Sequence, residues 1–197
     1  MRGRLSGTYA SAVASIDAAN AEDPNLVRVR GHEQPLALAH GRLAAEWIER
    51  LVDDPSEALL LAARAHHLRR WEVPRSSYPD GRAGYLRWRR DQKDRHASEV
   101  VAILAAAGYG EAAINRVQVL VRRARLDSAN GTQTVEDAAC LVFLETQLSD
   151  LAARLDRDHL IEVLRRTAAK MSDEGRALVG EIPLDAEATV LLAAALG

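Results

Sequence analysis

Apolar residues recur along the chain at steps of three and four, the spacing that puts side chains on one face of an α-helix. The spacing first covers Tyr9, Val13 and Ile16 and ends before Pro24. After a polar stretch over residues 26–34 it resumes as Leu36, His40, Leu43, Trp47 and Leu51. We predict two helices joined by a loop over that stretch. The second helix would start at Pro35 and carry His40 on its apolar face.

A third predicted helix is apolar around its whole circumference, which is typical of a buried, central helix. It covers residues 58–67, ends at His66 and His67, and precedes Pro74, which cannot continue a helix. Turn residues at 76–81 predict a loop after it, a frequent place for ligand sites. Further helices are predicted over residues 83–107, 111–123, 132–145, 158–171 and 185–196. The total is seven or eight.

Composition agrees with a helical fold. Hydrophobic residues make up 48% of the 197 residues and aromatic residues only 4%, with the helix formers Ala and Leu dominant. We therefore predict one compact all-α domain over residues 1–197. The single cysteine, Cys140, excludes an intrachain disulfide and lies in an apolar run that predicts a buried thiol. We expect a cytoplasmic protein, because the chain lacks both an apolar signal segment and a run long enough to cross a membrane.

Charge is distributed unevenly along the sequence. The whole chain carries a formal net charge of -2, whereas residues 64–95 hold ten arginines and lysines against four acidic residues. A local positive field in an acidic protein suits an anionic ligand. The alternative is a solvated arginine face, since exposed arginines are common. The overall charge argues against bulk binding of nucleic acid.

Histidine and aspartate side chains on different predicted helices could converge in the core. The candidate metal ligands are His40, His67, His96 and Asp137. Imidazole and carboxylate groups on neighbouring helices build metal sites inside helical bundles. An inward histidine is, however, more often a hydrogen-bonded core residue, and no HExxH, CxxC, nucleotide-binding loop or GxSxG motif is present.

Arginine and aromatic side chains around the predicted loop are candidates for substrate binding. Arg70, Arg75 and Arg89 could hold a phosphate or carboxylate through paired hydrogen bonds. Trp71, Tyr78, Tyr85 and Trp88 could supply a stacking wall, or could simply pack in the core.

Three motifs resemble those of a known family. They are the string from His67 to Pro79 (HLRRWEVPRSSYP), the string AGYLRWR at 83–89 followed by His96, and the string EDAACLVFLE at 136–145. With the opening segment IDAANAEDPN at 16–25, they resemble the family known as domain of unknown function 4202 over nearly the whole chain. That resemblance implies no activity.

A more remote similarity is to the HD-domain phosphohydrolases, and it implies an HD-like helical bundle. His40, His67 and Asp137 follow the order of metal ligands in that superfamily, and His96 stands where some members have an extra ligand. Leu68, however, occupies the place of the aspartate in the paired His-Asp motif. If His66 and His67 were the pair instead, a histidine would replace that aspartate, so in either case the usual metal site is altered or lost.

Three functions follow as expectations. The first is a hydrolase or lyase acting on a small phosphate- or carboxylate-bearing substrate, with a divalent Fe, Mn or Zn ion and with Glu136 or Glu145 as base. The second is a metal-free enzyme in which His67 and His96 transfer protons. The third is a non-catalytic module that binds an anionic metabolite or an RNA end, with a surface extended by Arg122, Arg123 and Arg125. The sequence leaves the oligomeric state open.

Overall fold

The computed structural model describes residues 6–196. Within that range the chain forms nine α-helices and one antiparallel β-hairpin. In chain order the elements are α1 (Gly7–Asn20), β1 (Leu26–Val29), β2 (His32–Pro35), α2 (Leu36–Leu51), α3 (Glu57–Ala65), α4 (Gly81–Ala107), α5 (Glu111–Arg122), α6 (Thr132–Ala152), α7 (Arg157–Ala168), α8 (Asp173–Ala177) and α9 (Ala186–Leu196). The predominance of helix confirms the main prediction, and the short α8 was not predicted.

The hairpin corrects the prediction of a loop over residues 26–34 and adds one small β element to an otherwise helical domain. Its strands pair from Leu26 opposite Pro35 to Val29 opposite His32. The two residues between them, Arg30 and Gly31, have φ angles of 50° and 86°. Two consecutive positive φ values give the tight turn whose twist matches an antiparallel pair, and glycine adopts such angles without strain. The second strand consists mainly of polar residues, so it lacks the alternating apolar pattern that predicts a strand.

The core is centred on α3, as its uniform apolar character predicted. Leu60, Leu61 and Ala62 are almost completely buried, and α3 packs against α1, α2, α5 and α6. Gly41 allows α2 to lie close to α3, because a Cβ atom at that position would come within 2.7 Å of the Arg64 carbonyl oxygen. This close approach brings His40 beside the C-terminal end of α3.

Two further predictions agree with the fold. Cys140 is buried, and its surroundings raise the pKa of the thiol to about 12, chiefly by desolvation. Among residues 6–196 there is no helix with the length and apolar character needed to cross a membrane.

Candidate functional site

A large cavity opens beside the C-terminal end of α3. Its volume is about 1120 Å³, and its wall comes from α2, α4, α6, α7 and the loop that follows α3. The cationic residues that line it are Arg70, Arg75, Arg82, Arg89, Lys93, Arg123, Arg166 and Lys170. The acidic residues that line it are Asp23, Glu136 and Asp150. We call this cavity the basic pocket, because cations outnumber carboxylates in its wall although the whole chain has a net charge of -2.

Four histidines lie together at one side of this pocket, and we call them the histidine cluster: His40, His66, His67 and His96. The rings of His66 and His67 are 4.1 Å apart between centroids, and those of His40 and His67 are 5.1 Å apart. His96 is 6.3 Å from His67, also between ring centroids. The first three line the pocket, and His96 is buried outside its lining.

Hydrogen bonds fix the tautomers in part of the cluster. The Thr146 hydroxyl donates to the Val142 carbonyl oxygen at 2.7 Å, so its oxygen accepts a hydrogen bond from His40 Nε2 at 3.1 Å. In a neutral His40, Nδ1 then carries the lone pair. Because His40 Nδ1 and His67 Nδ1 are 2.9 Å apart, His67 must donate from Nδ1. Its Nε2 is left with a lone pair that can accept a proton.

The histidine cluster is held in the neutral form. Burial lowers the pKa of His40 to about 3, and the charge of Arg70 acts in the same direction. Burial also lowers the pKa of His67 well below its usual value, with further contributions from His66 and Arg70. Among the described residues, the permanently charged side chains that shift the pKa values of these four imidazoles are arginines. No carboxylate contributes to these shifts.

Two histidines have unused hydrogen-bonding capacity. His66 Nδ1 donates to the Ala63 carbonyl oxygen at 2.7 Å, so Nε2 carries the lone pair. That atom, and both ring nitrogens of His96, are buried without a hydrogen bond of normal geometry among the described residues, although the Leu68 backbone lies close enough to raise the pKa of His96 slightly against the effect of burial. Buried polar groups are normally hydrogen-bonded. The packing around these ring nitrogens is therefore not the arrangement that stability alone would favour.

A charge cluster lies at another part of the pocket wall, where Glu136 on α6 meets three cations. Its carboxylate is 3.2 Å from Arg123 Nε, 3.6 Å from Lys93 Nζ and 3.8 Å from an Arg89 amino nitrogen. The side chains of Glu136 and Arg123 are each 5% exposed. One buried carboxylate therefore balances one of three neighbouring positive charges, and two charges are left for a ligand.

The backbone conformation at Arg123 directs its side chain into this cluster. Arg123 follows the last turn of α5 with a φ of 44°, a left-handed conformation that turns the side chain inward. It also donates to the Val135 carbonyl oxygen. Among its cationic neighbours, Lys93 has a pKa of about 8, because burial and the charge of Arg123 outweigh the attraction of Glu136.

Arg70 and Arg75 have different roles in the loop after α3. The Arg70 guanidinium lies 4.3 Å above the Trp88 ring, and burial, followed by the charge of Arg89, lowers its pKa to about 10. Arg75 donates to the carbonyl oxygens of Tyr78, Pro79 and, at a longer distance, Gly81. Arg75 therefore stabilises the conformation of the loop. Arg70 instead faces the pocket, where its charge can interact with a ligand.

Not every predicted site residue reaches the pocket. Of the predicted substrate-binding set, Arg70, Trp71, Arg75, Tyr85, Trp88 and Arg89 line it. Tyr78 instead donates to Asp91 at 3.0 Å and is absent from the lining. Glu145 accepts hydrogen bonds from Trp47 and Arg30, so it ties the hairpin turn to α2 and α6.

The predicted metal ligands do not converge as a set. Asp137 accepts from the backbone and hydroxyl of Ser172 and from Gln133, and thereby anchors the start of α8 away from the pocket lining. His40 uses both ring nitrogens in hydrogen bonds. Across residues 6–196 no three His, Cys, Asp or Glu side chains are arranged to hold a metal ion. This arrangement does not fit a metal held by the predicted four, and the Fe, Mn or Zn ion stays a prediction.

Sequence reasoning missed several pocket residues. Lys93, Thr146 and Lys170 were not singled out, and Arg123 was assigned to an exposed surface although it is buried. Arg122, expected beside it on that surface, pairs with Asp94. A usable signal was present for Lys93, because it lies four residues after Arg89 and three before His96, which is helical spacing.

The chain is thus a mostly helical domain with a basic pocket beside a cluster of neutral histidines. It belongs to the family described as Domain of unknown function (DUF4202), whose family model matches residues 10–192. This match confirms the family resemblance drawn from the sequence motifs and gives no support to a similarity with HD-domain phosphohydrolases. No curated protein and no solved structure matches the chain with statistical significance.

Proposed function

We propose that this protein binds a small phosphate- or carboxylate-bearing molecule in the basic pocket and acts on it as a hydrolase or lyase. The observation that carries the proposal is the surplus of cations in a pocket wall that belongs to an acidic protein. Cations that are partly withdrawn from water and lack a carboxylate partner bind anions strongly, because the anion replaces lost hydration.

Several side chains of the pocket wall can contact the anion. Arg89 and Lys93 lie near a carboxylate that already serves Arg123, so both retain charge for a ligand. Arg70 lies on Trp88, which keeps its guanidinium plane fixed for paired hydrogen bonds. Trp71 and Tyr85 line the same cavity and offer flat surfaces on which an unsaturated or aromatic part of the ligand can stack.

His67 is the residue we propose as the acid–base group. Its Nε2 lone pair can take a proton from water in a hydrolase, or from a carbon or oxygen atom of the substrate in a lyase. The charge of Arg70 contributes to the low pKa of His67. An anion bound to Arg70 would offset that charge and raise the pKa of His67, so substrate binding would itself strengthen the base.

The test of binding compares two neighbouring arginines of α4. Arg89 lines the pocket, whereas Arg90 is exposed and pairs with Asp91. We expect inorganic phosphate, pyrophosphate and a nucleoside monophosphate to raise the melting temperature of the wild-type protein. Arg89→Gln should weaken binding at least about tenfold, the loss of one charge-assisted contact, and Arg90→Gln should leave it unchanged. Equal effects of the two variants would refute a specific pocket.

The alternative functions are separated by three further measurements. An HD-like metal enzyme predicts about one equivalent of Fe, Mn or Zn in protein purified without chelator or nickel, and loss of that metal in His67→Ala. A metal-free enzyme keeps its activity in chelator. A module for an RNA end predicts affinity that falls steeply with salt concentration, as counterion release requires.

A further inference from the structure

The chain uses lysine very sparingly. Of its 26 basic Lys and Arg residues only two, Lys93 and Lys170, are lysines. Both line the basic pocket. The remaining basic residues are all arginines, including those on the surface, where a lysine would supply the same charge.

This distribution points to a need for an amine in the pocket. A guanidinium is always charged in proteins and is a poor nucleophile, whereas a lysine amine can lose its proton when buried or placed near other cations. If the pocket required only positive charge, arginine would satisfy it, as it does at the six arginine positions of the same wall.

Lys93 loses its proton more readily than an exposed lysine, because its surroundings favour the neutral amine. Its side chain is 22% exposed and faces Arg89 on α4, Arg123 at the end of α5 and Glu136 on α6. Burial and Arg123 lower its pKa to about 8, against the opposing effect of Glu136. Roughly a tenth of the molecules then carry a neutral amine at neutral pH.

We infer that Lys93 is a nucleophilic amine that forms an imine with the carbonyl group of a small anionic aldehyde or ketone in the basic pocket. The inference rests on the proposed function, since the surrounding arginines hold the anionic group of that substrate. The ammonium first releases a proton to solvent. The amine then attacks the carbonyl carbon, a proton moves from nitrogen to oxygen, and the hydroxyl leaves as water. An amine and a carbonyl thus give an imine and one water, without oxidant or reductant.

An imine favours one of the two proposed reaction classes. It withdraws electrons from the adjacent carbon, which permits cleavage of a carbon–carbon bond or loss of a carboxylate. These are lyase reactions, and they do not require a metal ion. A substrate that carries both a carbonyl and a phosphate or carboxylate group fits this chemistry and the charge of the wall.

The experiment uses pyridoxal 5′-phosphate, an aldehyde that carries a phosphate, followed by reduction with borohydride and peptide mapping. The 197-residue chain offers two side-chain amines, so Lys170 is an internal control in the same pocket. We expect adduct on Lys93 at least about tenfold faster than on Lys170, and protection by inorganic phosphate. The labelling rate should rise with a midpoint near pH 8, the pKa of Lys93. Lys93→Arg should abolish the fast adduct, and Lys170→Arg should retain it.

Phosphate binding, measured by melting temperature, keeps the two proposals separate. Lys93→Arg preserves a cation, so it should still bind phosphate. Labelling of Lys93 no faster than Lys170, in protein that binds phosphate, would overturn the imine inference and leave the proposed function standing. Absence of both phosphate binding and preferential labelling would overturn both.

Discussion

The charge cluster and the histidine cluster lie beside the same pocket, and their buried ionisable groups differ in charge: the first stays charged and the second stays neutral. Arg123 is fully buried and stays charged because Glu136 lies 3.2 Å away. The histidines have no such carboxylate. Burial, and to a smaller extent the charge of nearby arginines, disfavours the imidazolium form and lowers the pKa values of His40 and His96 to about 3. Glu136 therefore keeps one side of the pocket charged, whereas burial keeps the other side neutral.

The comparison also separates binding from proton transfer. The charge cluster has cations in excess of its carboxylate, which suits it to hold an anion. The histidine cluster has fixed lone pairs and no charge, which suits it to accept a proton once an anion reduces the field of the arginines. The three predictions below test this division, from the largest expected effect to the smallest.

Glu136→Gln should have the largest effect, because it leaves Arg123 buried beside Lys93 without a counterion. Removal of one partner of a buried ion pair destabilises proteins by roughly 3–5 kcal/mol. The free energy of unfolding, measured by urea denaturation, should fall by about that amount. Glu46→Gln is the control, since the Glu46 carboxylate is exposed and pairs with Arg30 on the surface, and it should change stability by less than about 1 kcal/mol.

A second variant makes the Glu136 prediction sharper. Replacing Arg123 by Met in the Glu136→Gln background removes the unpaired charge and should restore much of the lost stability. A Glu136→Gln protein as stable as the wild type would contradict the claim that this carboxylate holds the charge cluster together.

Thr146→Val should have an intermediate effect. The substitution preserves shape but removes the oxygen that accepts from His40 Nε2, and a buried donor left without a partner costs roughly 1–3 kcal/mol. Thr167→Val is a matched control, because the Thr167 hydroxyl likewise donates to the carbonyl four residues earlier, and Thr167 is buried. Equal losses of unfolding free energy in the two variants would show that Thr146 does not orient His40.

The smallest expected effect concerns pH. The pKa of His96 is about 3 in the fold, below its usual 6.5, so the unfolded chain takes up a proton before the folded protein does. Stability is full above pH 6.5 and falls as the pH drops below it. From about pH 7.5 to about pH 5.5, one such histidine removes about 1.4 kcal/mol.

His96→Phe should therefore reduce the pH dependence by that amount. At about pH 7.5 the variant should keep most of its stability, because phenylalanine preserves a flat ring and neither ring nitrogen of His96 makes a hydrogen bond of normal geometry among the described residues. His159→Gln, at an exposed position near the start of α7, is the control. An unchanged pH slope in His96→Phe would contradict a neutral, buried His96.

Neighbouring residues on α6 show where sequence reasoning reached its limit. Glu136 and Asp137 are adjacent at the start of the EDAACLVFLE motif, and both are buried. Successive helical residues lie about 100° apart around the axis. Glu136 consequently faces the pocket, while Asp137 faces α8, where a Cβ on Gly175 would come within 2.7 Å of its carboxyl carbon. No local pattern indicates which of the two neighbours faces the pocket.

Local sequence is enough to specify the helical class, the central position of α3 and the concentration of arginines after it. These features follow from local periodicity and composition, which each segment carries independently of its neighbours. The packing of the helices, by contrast, turns Arg123 inward, places Glu136 beside it and leaves His67 with a free Nε2 lone pair. Those properties depend on distances between helices far apart in the chain, and on burial, which together set the charge of each group.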